Sequence, residues 1–455
     1  MRRIALVVSI LLPGAALRAS AQETTTCYHV DRPGSEAIGT QGGAVMTFVN
    51  PMFRCDGGTR TMTADNANFS QAARRIDLFG NVVIQDAERT LTTDRAVYLS
   101  AQRRLEAIGN GVLTDRTTGS VIRGDLINMY LETATRPQRV EATATSGIAR
   151  AILKRVEPGA APDSTIIDAH QINIEGEQSF RAIGNAVLTR DSLRATGHSI
   201  EYRQESGAMM IAGAGLVMLP RQELRGDSID ATLGDDEQIR EVLTRHNASL
   251  TAPEMEVRAG AVRLFFEEGA VSRMVAMNWE PVRGAPAPGR PRVDAEEFLM
   301  VSDSIDVLAP GGEISEAAAI GNAYGERITP DSLRARLPEV SARDSALIAS
   351  DWMRGDTVRA FFVANPDTVS DASAEARVMD RLMAAGSPAQ SVYRIVNVDR
   401  PDDALSVNYL SAQRIEVQFA KGVVFVVTAE GDAKGVYVQP ASSARRVIGG
   451  GAPRQ

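Results

Sequence analysis

Four histidines, two cysteines and a recurring series of aspartates are the residues of this 455-residue chain that could do chemistry. His29, His170, His198 and His246 are scattered, and none belongs to an H-E-x-x-H pair. No G-x-S-x-G elbow, phosphate-binding loop or dinucleotide fingerprint is present. His170 and His198 fall at corresponding points of a repeated phrase, which places them near each other. At a position that varies between copies they read as tolerated substitutions rather than metal ligands. Cys27 and Cys55 lack C-x-x-C spacing. In an exported chain two thiols pair most simply as one disulfide, with metal ligation or redox catalysis as the alternatives. Asp65, Asp94, Asp125, Asp168, Asp227 and Asp303 form a polar ladder. The glycine-rich nonapeptide of calcium-binding solenoids is absent. The expected role of these carboxylates is therefore to cap turns or strand starts by accepting backbone N–H groups. No paired carboxylates suited to polysaccharide cleavage are legible, and no cofactor is expected.

The elements that carry these residues repeat. IDLFGNVVIQD (76–86), LEAIGNGVLTD (105–115) and FRAIGNAVLTR (180–190) are copies of one phrase, and AAAIGNAYGER (317–327) is a fainter one. A second phrase accompanies the clear copies: TADNANF (63–69), TTDRAVY (92–98) and, degenerated, ATGHSIEY (195–202). Asp65, Asp94 and Asp125 are 29 and 31 positions apart, so the unit is about thirty residues long. Repetition on that scale means one supersecondary unit stacked many times. The phrases alternate with period two, the period of a strand. Ile76, Leu78, Gly80, Val82 and Ile84 share one face. Leu105 and Leu113, and Phe180 and Leu188, share the same face in later copies. That face is apolar and small at its centre, while the other mixes polar and apolar residues. Glycine inside such a run marks a bulge or a close approach, and asparagine tolerates the left-handed region; simple turn punctuation is the alternative.

Residues 1–21 have the pattern of a signal peptide: Arg2 and Arg3, an apolar stretch over Ile4–Leu17, and Ala19-Ser20-Ala21 as the cleavage site. The apolar stretch is too short to span a bilayer. Its removal takes three arginines and moves the formal charge from −8 to −11. An acidic chain argues against nucleic acid as a partner. Residues 22–328 carry the repeats. Within them the proline-rich Glu280–Val293 reads as a loop. Residues 329–401 read as an irregular insertion holding one helix over Ala372–Ala385, where Val378 and Leu382 lie four apart and Gly386 suits the C-terminal cap. Residues 402–440 return to strand, turn, strand, turn, strand, and 441–455 form a tail of disordered composition.

The paired phrases, T-A-D-x-A-x-Y/F followed by an apolar residue and G-N-V-x-apolar, resemble the OstA-like/LptA family of periplasmic lipopolysaccharide-transport proteins. The resemblance covers about 46–219 most fully, extends to Tyr324, and returns over Leu410–Pro440. It implies an all-β fold, a repetitive open β-jellyroll of two stacked antiparallel sheets. It also implies a periplasmic location and a non-enzymatic role in sheltering lipopolysaccharide acyl chains on the way to the outer membrane. On this reading Ile76, Leu78, Val82, Ile84, Leu105, Leu113, Phe180 and Leu188 line the lipid groove. The implied partners are lipopolysaccharide or a related lipid, other Lpt-type jellyroll proteins at the two membranes, and a second copy added end to end. A right-handed β-helix enzyme acting on polysaccharide, or a structural envelope solenoid, are the competing readings. The resemblance agrees with elementary physics, since burial of each CH₂ of a lipid tail is worth about 0.8 kcal/mol.

Overall fold

Alternation writes the strands. In Arg75–Gln85, Ile76, Leu78, Val82 and Ile84 are buried, whereas Asp77, Phe79, Val83 and Gln85 are not. β-branched and aromatic residues fit a pleated surface buried on one side, and they dominate these runs. The computed structural model describes residues 27–41, 45–55, 58–133, 135–155, 163–176, 179–234, 238–253, 255–279, 289–295, 298–327, 350–364, 377–395, 406–420 and 423–438. The expected signal peptide at 1–21, the tail at 441–455 and most of the proline-rich loop lie outside them.

The chain forms two compact units, Met1–Thr117 with Asn128–Leu131, and Thr118–Ile127 with Glu132–Gln455. In the first unit Arg75–Gln85, Arg89–Leu99 and Arg104–Asp115 are successive antiparallel neighbours. Each is bent once near its middle, where the register slips between Phe79 and Val82 and between Thr92 and Arg95. The two halves enter different ladders. The first half of Arg75–Gln85 pairs with Asn66–Ser70, and the second half pairs with Arg60–Thr63. One long strand thus contributes to two sheets, and the buried faces of both halves turn toward the space between them.

The second unit repeats this plan. Ser179–Arg190 pairs with Gln171–Glu175 through one half and with Asp163–Ala169 through the other. Met255–Glu267 divides between Arg292–Ala295 and Ala270–Met277. Ser406–Ala420 divides between Lys434–Val438 and Val423–Glu430. The result is an all-β, jellyroll-like stack of antiparallel strands. The thirty-residue repeat is one hairpin of two bent strands.

The expected helix is a strand. Arg377–Ile395 runs antiparallel between Asp351–Ala364 and Ser406–Ala420. Residues four apart share a face in a regular strand as well as in a helix, so the spacing of Val378 and Leu382 could not discriminate. Two flanking strands satisfy the backbone along its length, and that tertiary pairing overrides the local helix propensity. Gly386 is no helix cap: it lies within a register slip between Ala385 and Ala389, where a Cβ would sit 2.7 Å from the Asp356 nitrogen. The stretch 329–401 is therefore no irregular insertion in its described parts, because Asp351–Ala364 and Arg377–Ile395 extend the stack from Glu316–Arg327. The proline-rich loop also ends sooner than expected, since Arg292–Ala295 is a strand.

Candidate functional site

The bends explain the repeated phrases. Gly80–Asn81, Gly109–Asn110, Gly184–Asn185 and Gly321–Asn322 each place two consecutive residues at positive φ. That doublet turns the strand from one sheet to the other, and glycine followed by asparagine is the pair that enters the left-handed region at least cost. The aspartate of the neighbouring strand clamps the turn. Asn81 Nδ2 donates to Asp65 Oδ2 at 2.9 Å, Asn110 to Asp94 at 2.8 Å, and Asn322 to Asp303 at 2.9 Å. The main chain closes the contact too, with Asp65 N–H on the Gly80 carbonyl at 2.9 Å and Asp303 N–H on that of Gly321 at 3.0 Å. A Cβ on Gly80, Gly109 or Gly321 would lie 2.3–2.6 Å from the aspartate oxygen. Sequence separates the two phrases; space makes them one corner.

Three of the ladder's other members depart from that pattern. Asp125 does accept backbone N–H groups, from Thr145 at 2.7 Å and Ser146 at 3.1 Å, and the Thr145 hydroxyl at 2.7 Å. These bonds, the hydroxyl foremost, hold its carboxyl below the usual carboxylate range. Asp168 does not lie at a corner; it takes a bidentate pair from Arg150 at 2.6 and 2.9 Å on an outward face. The Asp227 carboxylate is only loosely held, with Asn247 Nδ2 at 3.4 Å from both oxygens. The corner residue of the Asp168 layer is His170, whose backbone N–H donates to the Gly184 carbonyl at 3.0 Å. His198 stands likewise against Gly213. Both histidines therefore occupy aspartate positions. No group of three or more His, Cys, Asp or Glu side chains placed to hold a metal ion occurs among the described residues. Cys27 and Cys55 are joined in a disulfide, beside the short pairing of Tyr28–His29 with Met52–Cys55.

The outward faces carry arginine–carboxylate pairs. Asp77 is gripped by Arg75 at 2.7 Å and approached by Arg95 at 3.5 Å. The Arg75 hydrogen bond, partly opposed by burial, holds the Asp77 carboxyl below its ordinary range. Arg273 and Asp306 form a similar bidentate pair, and so do Arg292 and Asp294. The inward faces are apolar. Each sheet is thus amphipathic across its thickness, the arrangement that gathers hydrocarbon between layers and leaves charge in water.

All eight residues that the sequence assigns to the groove are buried on the inward face: Ile76, Leu78, Val82, Ile84, Leu105 and Leu113 in the first unit, Phe180 and Leu188 in the second. They meet across strands, as in the rows Ile84–Leu91–Leu113 and Ile76–Tyr98–Leu105, and their own side chains fill the interior there. The interior opens elsewhere, in the second unit. A cavity of about 220 Å³ lies between the half-strands 222–226, 248–252 and 255–259 on one side and 261–267, 270–277 and 304–308 on the other. Leu250, Leu264, Met274, Val307 and Ala309 form its buried walls. Met255, Val271 and Ile314 border it, half-buried. Arg221 and Gln222 bring the polar side chains to its rim.

The Gly-Asn phrase could not lead to these residues. In Met255–Glu267 the bend falls at Gly260 against the backbone of Trp279 with no asparagine after it, and in the neighbouring Ile239–Ala252 the doublet is His246–Asn247, which keeps the asparagine but not the glycine. The signal that remains is the apolar alternation within Met255–Glu267 and Ala270–Met277.

No family model matches this chain, and no curated protein matches it. Among solved structures it is similar to LptH, described as the LptA-homologous periplasmic component of the conserved lipopolysaccharide transport device from Pseudomonas aeruginosa. The identity is 16%, the TM-score is 0.22, and the match covers 25% of this chain and 74% of that one. A similarity of that size adds no weight to the geometry.

Proposed function

We propose that this chain is a non-enzymatic lipid-binding protein of the periplasm that shelters acyl chains of lipopolysaccharide, or of a related lipid, between its two sheets during outer-membrane assembly. The observation that carries this reading is the apolar interior opening as a cavity at Leu250–Ile314, between sheets whose outer faces are laced with ion pairs. Lipid tails leave water for such a space because apolar burial is favourable at about 25 cal/mol per Å². The corner aspartates and the corner histidines are occupied in holding the bends, so in this reading they build the container rather than act on its contents. The Cys27–Cys55 disulfide fits an oxidising compartment.

Among the described residues, the last two strands suit strand addition. Lys434–Val438 is exposed throughout, as is Phe425 on the preceding strand. Unpaired strand edges recruit further strands, so other jellyroll proteins at the inner and outer membranes, or a second copy, are the expected protein partners. Native mass spectrometry of the protein purified from envelope extract tests the reading. A bound acyl-bearing lipid that a photoreactive group at position 274 captures is the expected result. Protein that carries no lipid, and takes none from lipopolysaccharide-containing vesicles, would overturn it.

A further inference from the structure

The cavity is polar in one direction. Its walls are aliphatic side chains and methionine, and its polar side chains, Arg221 and Gln222, come from the single hairpin that joins Ala208–Leu219 to Gln222–Leu233. Arg221 is exposed and makes no hydrogen bond or ion pair among the described residues. Nearby charges are otherwise engaged: Glu223 pairs with Arg225, and Glu313 with Arg377 at 3.1 Å. No acid among the described residues neutralises the guanidinium at the rim. The inward face of the same hairpin is also open, with Leu219 half-exposed although it continues the row of Ile211 and Val217. At about 220 Å³ the space is smaller than the roughly 300–1,000 Å³ of pockets that enclose a drug-sized ligand. Met255 and Met274 are unbranched and adapt to a flexible guest.

We infer that this cavity binds a single acyl chain bearing an anionic head, with the tail between Leu264, Met274 and Val307 and the head against Arg221 and Gln222. The inference rests on the lipid-carrier reading and deepens it, by naming where one chain enters and which head accompanies it. A carboxylate or a phosphate meets the same need, since a guanidinium pairs with either through two parallel hydrogen bonds.

Titration of the full chain with dodecyl phosphate, dodecanoate and dodecyl maltoside, each below its micelle concentration, separates head from tail. Both anionic amphiphiles should bind at least tenfold more tightly than the neutral one. Arg221→Glu should remove that preference and leave dodecyl maltoside binding within about twofold. A diazirine-bearing dodecanoate should label peptides spanning 250–255 and 271–314, and this mapping needs no variant to fold. Ala252→Phe, which narrows the mouth, should weaken all three at least tenfold. Equal binding of charged and neutral heads, or a preference that survives Arg221→Glu, overturns the Arg221 assignment and leaves the carrier reading standing. Labels that fall outside 250–314 overturn the placement. A chain that binds none of the three overturns both readings.

Discussion

A Cβ at residue 109 would lie 2.6 Å from Oδ2 of Asp94, on a backbone at φ +82°. Strain of both kinds acts at this one atom, so Gly109→Ala should cost about 1–3 kcal/mol in a urea melt. Asn110→Gly, which tolerates the left-handed backbone at φ +47°, removes the clamp to Asp94 without adding that strain and should cost about 1 kcal/mol. An equal loss in the two variants would mean that the hydrogen bond, and not the left-handed bend, holds the corner. Facing is a second property of single residues. Leu113 is buried and the adjacent Thr114 is not. Leu113→Asp puts an unpaired charge in the core and should cost several kcal/mol, against less than about 1 kcal/mol for Thr114→Asp. Indistinguishable melts would reject the register. Asp77 supplies a pH dependence. Its folded pKa is depressed, first by the Arg75 hydrogen bond. Its contribution is therefore present above the unfolded value of about 3.9 and is lost as pH falls through the folded value. Stability of the native chain should exceed that of Asp77→Asn by a constant amount above about pH 5, and the gap should close on acidification below about pH 4.

The bent strand is the element on which the fold depends. Its halves serve two sheets, so no half is free to slip without disturbing the other. A one-residue slip would also turn every buried side chain outward. That coupling explains why Arg377–Ile395 is a strand although its residues suit a helix: it is held on both sides by ladders that extend through its own bend. The first element of the described chain lacks such support. Tyr28–His29 pairs over just two residues with Met52–Cys55, and its main tether is the disulfide. His29 also stacks on Phe48, with ring centroids 4.6 Å apart. Non-reducing peptide mapping should find Cys27 linked to Cys55. Replacing both by serine should cost about 3 kcal/mol by loop closure over 28 residues. Hydrogen exchange should then rise first at 27–36, and unchanged protection there would show that the aromatic contacts suffice.

At the scale of the whole molecule, the proposed strand addition turns on the edge beyond the last long strand among the described residues. Ser406–Ala420 is covered by Lys434–Val438 and Val423–Glu430, and these two strands expose Phe425, Val436 and Tyr437. A head-to-tail contact through such an edge does not close on itself, so species of several sizes should appear in light scattering as concentration rises. Lysine at Phe425 and Tyr437 together guards the edge and should return the population to monomer. A chain that stays monomeric at every concentration, and captures no envelope protein by crosslinking from 423–438, would refute assembly by strand addition.

The sequence by itself determined the class and period of this protein. Alternation and a thirty-residue repeat are local properties, and they were enough to assign strands, their stacking as one repeated unit and the buried face of each copy; the two antiparallel jellyroll sheets were what the family resemblance implied. The inward placement of Ile76 and Leu113 needed nothing beyond a period of two. Tertiary structure decided what depends on neighbours distant in the chain. It joined Asp94 to Asn110 as one corner, gave His170 rather than Asp168 the corner of its layer, and kept Arg377–Ile395 extended. It also placed the open interior at Leu250–Ile314, away from the strongest repeats. The reason is common to all of these. A repeat is clearest where its side chains pack well against copies of themselves, and there the space between the sheets is already filled. A cavity forms where the copies diverge, and divergence erases the pattern by which a sequence is read.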